Sequence, residues 1–218
     1  MTSAAAGLVT SNESKTASIQ AHLEQAIEDL LASLPSPGQL SAEERRGIIA
    51  RYTAVLEGNF IYWMTGAYIA AGSGEARAKI MDNLREEVRD CHPGMMRRFA
   101  IAAHAAPTEA DANAVYRNLM NVRLFIGRLS PVPIVVTMAF FEGFIQRFMP
   151  YLADLAQRQG SAEMEYTDVH GVCDITHTQE LFRALEAELA LTTPIPAENM
   201  YEGVELLRAL IQDIAVEN

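Results

Sequence analysis

The sequence predicts an all-α protein on three observations. Ala, Leu, Glu, Met and Arg, which favour helices, are abundant. Aromatic residues make up only 7% of the chain, so strand-favouring side chains are few. Glycine and proline fall mostly between long segments of helical periodicity. At 218 residues the chain suits one domain that can bury a full core without metal or disulfide staples. The expectation is a bundle of roughly seven or eight helices over residues 18–218, preceded by a flexible N-terminal tail, residues 1–17.

The first helix is expected over about Ser18–Leu34, where Leu23, Ile27, Leu30, Leu31 and Leu34 form an apolar stripe with Glu24, Glu28 and Asp29 outside it. Ser36-Pro37-Gly38 ends it. Ser41-Ala42-Glu43-Glu44 has the spacing of a capping box and opens a long helix to about Ala71, closed by Gly72-Ser73-Gly74. A third helix covers Glu75 to about Asp90. Cys91-His92-Pro93-Gly94 interrupts it, because a residue before proline is pushed out of helical geometry while proline suits a first helical turn. A new helix then runs from Pro93 to about Ala106. Thr108–Arg128 is the next, Ser130-Pro131-Val132-Pro133 reads as a turn, and Ile134–Gln159 is long and apolar. After Gly160 a helix extends to about Leu191, and Pro194 and Pro196 separate it from an amphipathic final helix, Ala197–Ile214.

The net charge of −11 argues against a nucleic-acid partner, since neutralising a phosphate backbone needs a basic surface. Two cysteines, Cys91 and Cys173, are too few for a disulfide framework and fit a reducing compartment. The start MTSAAAGLVTSNESK lacks the charged and apolar regions of a signal peptide. The longest apolar run, PIVVTMAFFEGFI, is short for a membrane span and carries a glutamate. The expected location is the cytoplasm, with no membrane partner; the long apolar helices are compatible with a homodimer.

The stretch YTDVHGVCDITH carries the densest chemistry. In a helix, His170, Asp174 and His177 stand at i, i+4 and i+7, within about 60° of one another on one face. Imidazole and carboxylate suit a borderline divalent ion such as iron, zinc or manganese, and three such ligands leave positions for water, substrate or oxygen.

Three glutamates stand where apolar neighbours predict burial. Glu57 has Thr53, Phe60, Ile61 and Met64 around it, and Glu142 is bracketed by Val135, Met138, Ala139, Ile145 and Met149. Glu87 follows Ile80 and Leu84, whereas Glu86 shares a solvated face with Lys79, Asp82, Asn83, Arg89 and Asp90. A buried charge is costly unless paired, protonated or bound to metal. The alternative for Glu57 and Glu142 is therefore an arginine-paired or neutral carboxyl. The break at Pro93 would let His92 turn back towards Glu87. Glu57, Glu87, His92, Glu142, His170, Asp174 and His177 together are too many ligands for one ion and suit two that share carboxylates. The ferritin-like arrangement needs Glu-x-x-His twice, and the chain contains none.

Other candidates read as ordinary structure. His104 is a core or rim histidine, His22 faces solvent, and Cys173 points about 100° from Asp174 into the core. Tyr166, Phe141, Met138 and Trp63 are core positions that could line a pocket. Arg123, Arg128 and Arg147 pair with surface acids or anchor a substrate carboxylate.

With these residues in order, most of the chain resembles the heme-oxygenase-like diiron oxidases and oxygenases. The resemblance rests on Glu57 in YTAVLEGNF; on Glu87 and His92 in NLREEVRDCHPGMMRRF, with Glu86 as the alternative to Glu87; on Glu142 in MAFFEGFIQRFMPYLADLA; and on His170, Asp174 and His177 preceded by Tyr166. It implies a heme-oxygenase-like helical bundle in which those seven residues hold two Fe(II) ions, with Glu57, Glu87, Glu142 and His170 closest to catalysis. It further implies that O2 is activated through a peroxo-diferric intermediate to oxidise a small amine or amino acid. N-oxygenation, desaturation, C–C cleavage and decarboxylation are the outcomes it suggests, in specialised metabolism, with an external electron donor. The competing readings are a metal-free or heme-binding enzyme of the same fold, of the thiaminase II or quinone-synthase type, and a self-modifying diiron protein in which Tyr166 is the substrate. A non-catalytic helical module would leave the inward glutamates unexplained.

Overall fold

A computed structural model describes residues 3–191 and 196–216, with side chains from residue 14 onward. Its helices are α1 (Ser3–Ala32), α2 (Ala42–Ala70), α3 (Gly74–Arg89), α4 (His92–Ala102), α5 (Glu109–Ile126), α6 (Pro131–Arg158), α7 (Glu165–Leu189), α8 (Ala197–Met200) and α9 (Glu202–Ala215). Among the described residues there is no strand. The all-α expectation holds. Pro194, read as part of a helix separator, lies outside the described residues.

α6 is the axis of the bundle. Every residue from Val132 to Ile145 is buried, the pattern of a helix covered on all sides, and α6 packs against α1, α2, α7, α8 and α9. Phe144 stacks on Phe148 at 5.1 Å between ring centroids. Burying each such side chain contributes about 1.5–3 kcal/mol. α6 is long and apolar enough to cross a membrane, and 89% of that stretch is buried within the bundle, which assigns its apolarity to the core. α9 approaches α6 and α5 at Gly203, where a Cβ would stand 2.1 Å from Thr137 Oγ1. Only glycine fits there.

The boundaries depart from expectation at α1, α6 and α2, each with a local cause, and the final helix expected over Ala197–Ile214 is divided at Tyr201 into α8 and α9. α1 begins at Ser3 rather than Ser18 and takes in most of the stretch read as a tail; its alanine-rich start has high helix propensity. Pro131, Val132 and Pro133 form the first turn of α6 rather than a turn between helices. Proline suits that position because its missing N–H would be unpaired there anyway, and Leu129, at φ 54°, turns the chain instead. α2 opens on the expected capping box of Ser41 and Glu44 but breaks midway, with Glu57 at ψ 44° and Gly58 at φ 142°. Gly58 occupies a region that other residues rarely reach.

Candidate metal centre

α7 carries the core of the site. His170, Asp174 and His177 are all buried on its inner face, while Val172 and Ile175 point out, as the 3.6-residue period requires. α7 packs against α6 and α3, so the inner face meets Glu142 of α6 and Glu87 of α3, both buried. His92 arrives from the start of α4. Cys91, in the left-handed conformation, turns the chain between α3 and α4 so that His92 points back, and its Nδ1 lies 2.7 Å from Glu87 Oε1.

Two trios of ligand-type atoms result. In Glu87, His92 and His170 one atom from each lies within 4.8 Å of the others, and the same holds for Cys173, Asp174 and His177. Glu142 joins the second, its Oε2 3.7 Å from His177 Nδ1, and Asp174 Oδ1 is 3.6 Å from the same nitrogen. Those two distances are too long for hydrogen bonds. Asp174 Oδ2 and His177 Nδ1 accordingly have no hydrogen-bond partner although both atoms are buried. Such orphans cost free energy unless something else fills the role. Borderline divalent ions accept carboxylate oxygen and imidazole nitrogen, so the donor set fits iron.

The surroundings orient these groups. His170 donates Nδ1–H to the Tyr166 carbonyl at 2.8 Å, leaving Nε2 towards Glu87 Oε1 at 3.9 Å. Burial pushes His170 down to about 4, so the imidazole is neutral. His177 is held from its other side, its Nε2 donating to Glu86 Oε2 at 3.0 Å. Burial opposes the His177 charge, but Asp174, Glu142 and Glu86 outweigh it and raise its pKa to about 11. Burial and the nearby Glu142 carboxylate push Asp174 up to about 8. Burial also raises Glu87, against the opposing pull of His92. Asn83 donates to Glu142 Oε1 at 2.7 Å. Tyr52 and Tyr166 share a buried hydrogen bond of 2.8 Å, and burial pushes both phenols well above their usual range.

A cavity of about 20 Å³, room for a water-sized ligand, adjoins the first trio. Leu56, Phe60, Ile61, Met96, Phe141 and Ile145 give it apolar walls, with Glu142, Tyr166 and Asp174 also on its lining.

Glu57 departs from expectation. It was read as facing the core, yet it is half-buried and ion-paired with the exposed Arg97 of α4. The break explains this: the backbone leaves helical geometry at Glu57 (ψ 44°) and Gly58 (φ 142°), so Phe60 and the residues after it no longer stand in helical register with Glu57. The arginine-paired alternative is the one observed.

Cys173 was expected to point away into the core, but its Sγ donates to Asp174 Oδ1 at 3.1 Å. Burial and Asp174 hold that thiol far above its usual range, so it is a donor rather than a thiolate. His104 is exposed instead of lying at the core or rim. Arg128 pairs with Glu202, Arg147 lies 3.8 Å from Glu28, and Arg123 stacks over Tyr62, so none of the three reaches the site. Trp63 is core behind Phe141, and Met138 is core.

Three neighbours of the site, Asn83, Arg97 and Tyr52, carry no expectation of a role there from the sequence. Asn83 was placed on a solvated face but is buried, and its signal was its i, i+4 relation to Glu87. Glu86, the named alternative to Glu87, reaches the site from the solvated side, its Oε2 accepting from His177. Arg97 and Tyr52 gave no periodic signal.

Comparison with protein families matches residues 48–210 to a family described as iron-containing redox enzyme. The matched span runs from α2 to α9 and contains every ligand candidate. No curated protein matches the chain.

Proposed function

This chain belongs to the iron-containing redox enzyme family, and from that premise we propose that it is a non-heme diiron oxygenase or oxidase acting on a small amine or amino acid. The observation that carries the reading is the buried trio Glu87, His92 and His170 beside buried Glu142, Asp174 and His177, with Asp174 Oδ2 and His177 Nδ1 left unpartnered. Glu87, His92 and His170 would hold one iron, and Glu142, Asp174 and His177 the other. Bound ferrous iron supplies the electrons that reduce O2.

The chain's own residues supply the rest. The Tyr166 carbonyl and Glu86 hold the outer nitrogens of His170 and His177, so the inner nitrogens face the site, and His177, charged in the metal-free protein, would give up its Nδ1 proton on binding metal. Asn83 fixes the rotamer of Glu142. Phe60, Phe141 and Ile145 exclude water from the cavity between them. Release of Glu57 from Arg97 would free both a further carboxylate for metal and a cation for a substrate carboxylate.

The test is an anaerobic titration of metal-free protein with ferrous iron, followed by rapid mixing with oxygen and a screen of amines and amino acids. Uptake of two irons per chain, with a transient absorbance absent in Glu142→Ala and His170→Ala, is the expected result. Uptake of one iron or none, or two irons indifferent to oxygen, would defeat the reading. The Tyr166 ring, 4.3 Å from that of His170, favours a second reading in which Tyr166 itself is oxidised. A mass change on Tyr166 after one exposure to oxygen, and no later turnover, would select it.

A further inference from the structure

A second cavity lies behind the metal centre. It shares Leu56 and Phe141 with the cavity that holds Glu87 and His170, and it continues between α2, α6 and α9 past Val55, Phe148 and Ile211. Tyr52 brings the one polar side-chain atom among its lining residues, a hydroxyl already bonded to Tyr166 at 2.8 Å. Its volume is about 10 Å³, room for one very small molecule. A water there would lack the hydrogen-bond partners that hold a buried water, so the cavity suits an apolar molecule and not a polar one.

The outer end of this cavity is bounded by half-buried Leu34 and by Ala215. Ala215 also lines a surface hollow of about 310 Å³ together with Pro35 and Leu40. Surface hollow, inner cavity and metal-centre cavity thus share wall residues in succession, Ala215 between the first two and Leu56 and Phe141 between the last two. The middle segment is too small for an amine or amino acid and too apolar for a charged one.

We propose that the cavity behind the metal centre binds dioxygen and delivers it from the Ala215 side, separately from the substrate. This rests on the reading that the centre uses O2, and the test keeps the two apart. Trp63 is the only tryptophan of the chain, fully buried and edge-on to Phe141 at 5.3 Å, so its fluorescence reports on molecules reaching that shared wall.

The experiment is fluorescence-lifetime quenching of the metal-free protein by O2 and by acrylamide, in wild type, Ile211→Phe and Ala215→Phe. Ile211 fills the cavity itself and Ala215 its outer end, so the second variant serves if the first does not fold. We expect efficient quenching by O2, little by acrylamide, and an O2 quenching constant about threefold lower in the variants, since a close-packed interior slows passage. In iron-loaded protein the O2-dependent oxidation rate should fall in parallel, with iron uptake unchanged.

An O2 quenching constant the same in all three proteins would overturn the proposal. So would unchanged quenching with loss of decylamine binding in Ile211→Phe, which would assign the cavity to a substrate's alkyl tail. A clear quenching contrast with no reaction between iron-loaded protein and oxygen would leave the gas site standing and defeat the reading of the centre instead.

Discussion

His170 donates its Nδ1–H to the carbonyl of Tyr166 one turn earlier, at 2.8 Å, and the two rings lie against each other at 4.3 Å between centroids. The helix that presents this imidazole therefore also sets its tautomer. His177, two turns on, is held the opposite way, with Nε2 on Glu86 and Nδ1 turned towards Asp174 and Glu142. The two histidines offer different ring nitrogens to neighbouring points in space, and their outer bonds make each a better donor to a metal.

Asn83 is the corresponding brace for Glu142. Its amide donates to Oε1 at 2.7 Å, which leaves Oε2 facing His177. Asn83→Ala should weaken iron binding about 10–100-fold, read by competition with a chromogenic chelator, while the thermal transition shows the fold is retained. Wild-type iron affinity in this variant would mean that Glu142 needs no such support.

Arg97 competes for Glu57. If that carboxylate joins the metal centre, Arg97→Gln should raise iron affinity and Glu57→Gln should lower it, and the double variant should resemble Glu57→Gln. Stability should hardly change, because an ion pair whose arginine is 66% exposed contributes only about 0–1 kcal/mol. Equal iron affinity in all three variants would confine Glu57 to its surface pair.

The site was legible in the sequence wherever a ligand sits on an uninterrupted helix. His170, Asp174 and His177 obey the helical period, and Glu142 stands on a helix so apolar that any direction is inward. Legibility failed where the backbone leaves helical geometry. The expectation for Glu57 comes from counting along α2, and the break at Glu57 and Gly58 resets that count. His92 is the exception: the break before Pro93 marked its turn back towards Glu87, which is observed, although the φ of 56° at Cys91 that makes the turn is a conformation nothing in the Cys91 side chain demands. Asn83 lies between two faces of α3, and its charged neighbours Lys79 and Asp82 hid its relation to Glu87. Pro131 and Pro133 fit both a turn and a first helical turn, and only the packing of α6 decides between them.

Gly171 lies inside α7, and a Cβ built there would meet nothing within 4 Å. Glycine in a helix costs conformational entropy without offering packing. Gly171→Ala should therefore stabilise the metal-free protein by about 0.5–1 kcal/mol, measured by urea denaturation, with iron stoichiometry unchanged. A loss of stability would show that the backbone at this position must move.

The Arg46–Asp111 pair should govern stability in acid. Asp111 binds Arg46 through both oxygens, at 2.9 and 3.1 Å, and also accepts from the Thr108 backbone and hydroxyl at the start of α5. Burial works to raise its pKa, but Arg46 and Thr108 outweigh it and hold the carboxyl below its ordinary value. A carboxyl whose folded pKa lies below its unfolded one contributes full stability above about pH 4 and loses it as pH falls through the folded value. Asp111→Asn should cost about 1.5–3 kcal/mol at pH 7 and less as the pH drops below 4, so the wild-type and variant curves converge in acid. Glu43, which shares Arg46 but is largely exposed, should contribute little, and Glu43→Gln is the control. Urea denaturation across that range reads the difference; a constant gap between the curves would mean that Asp111 acts through packing and not through its charge.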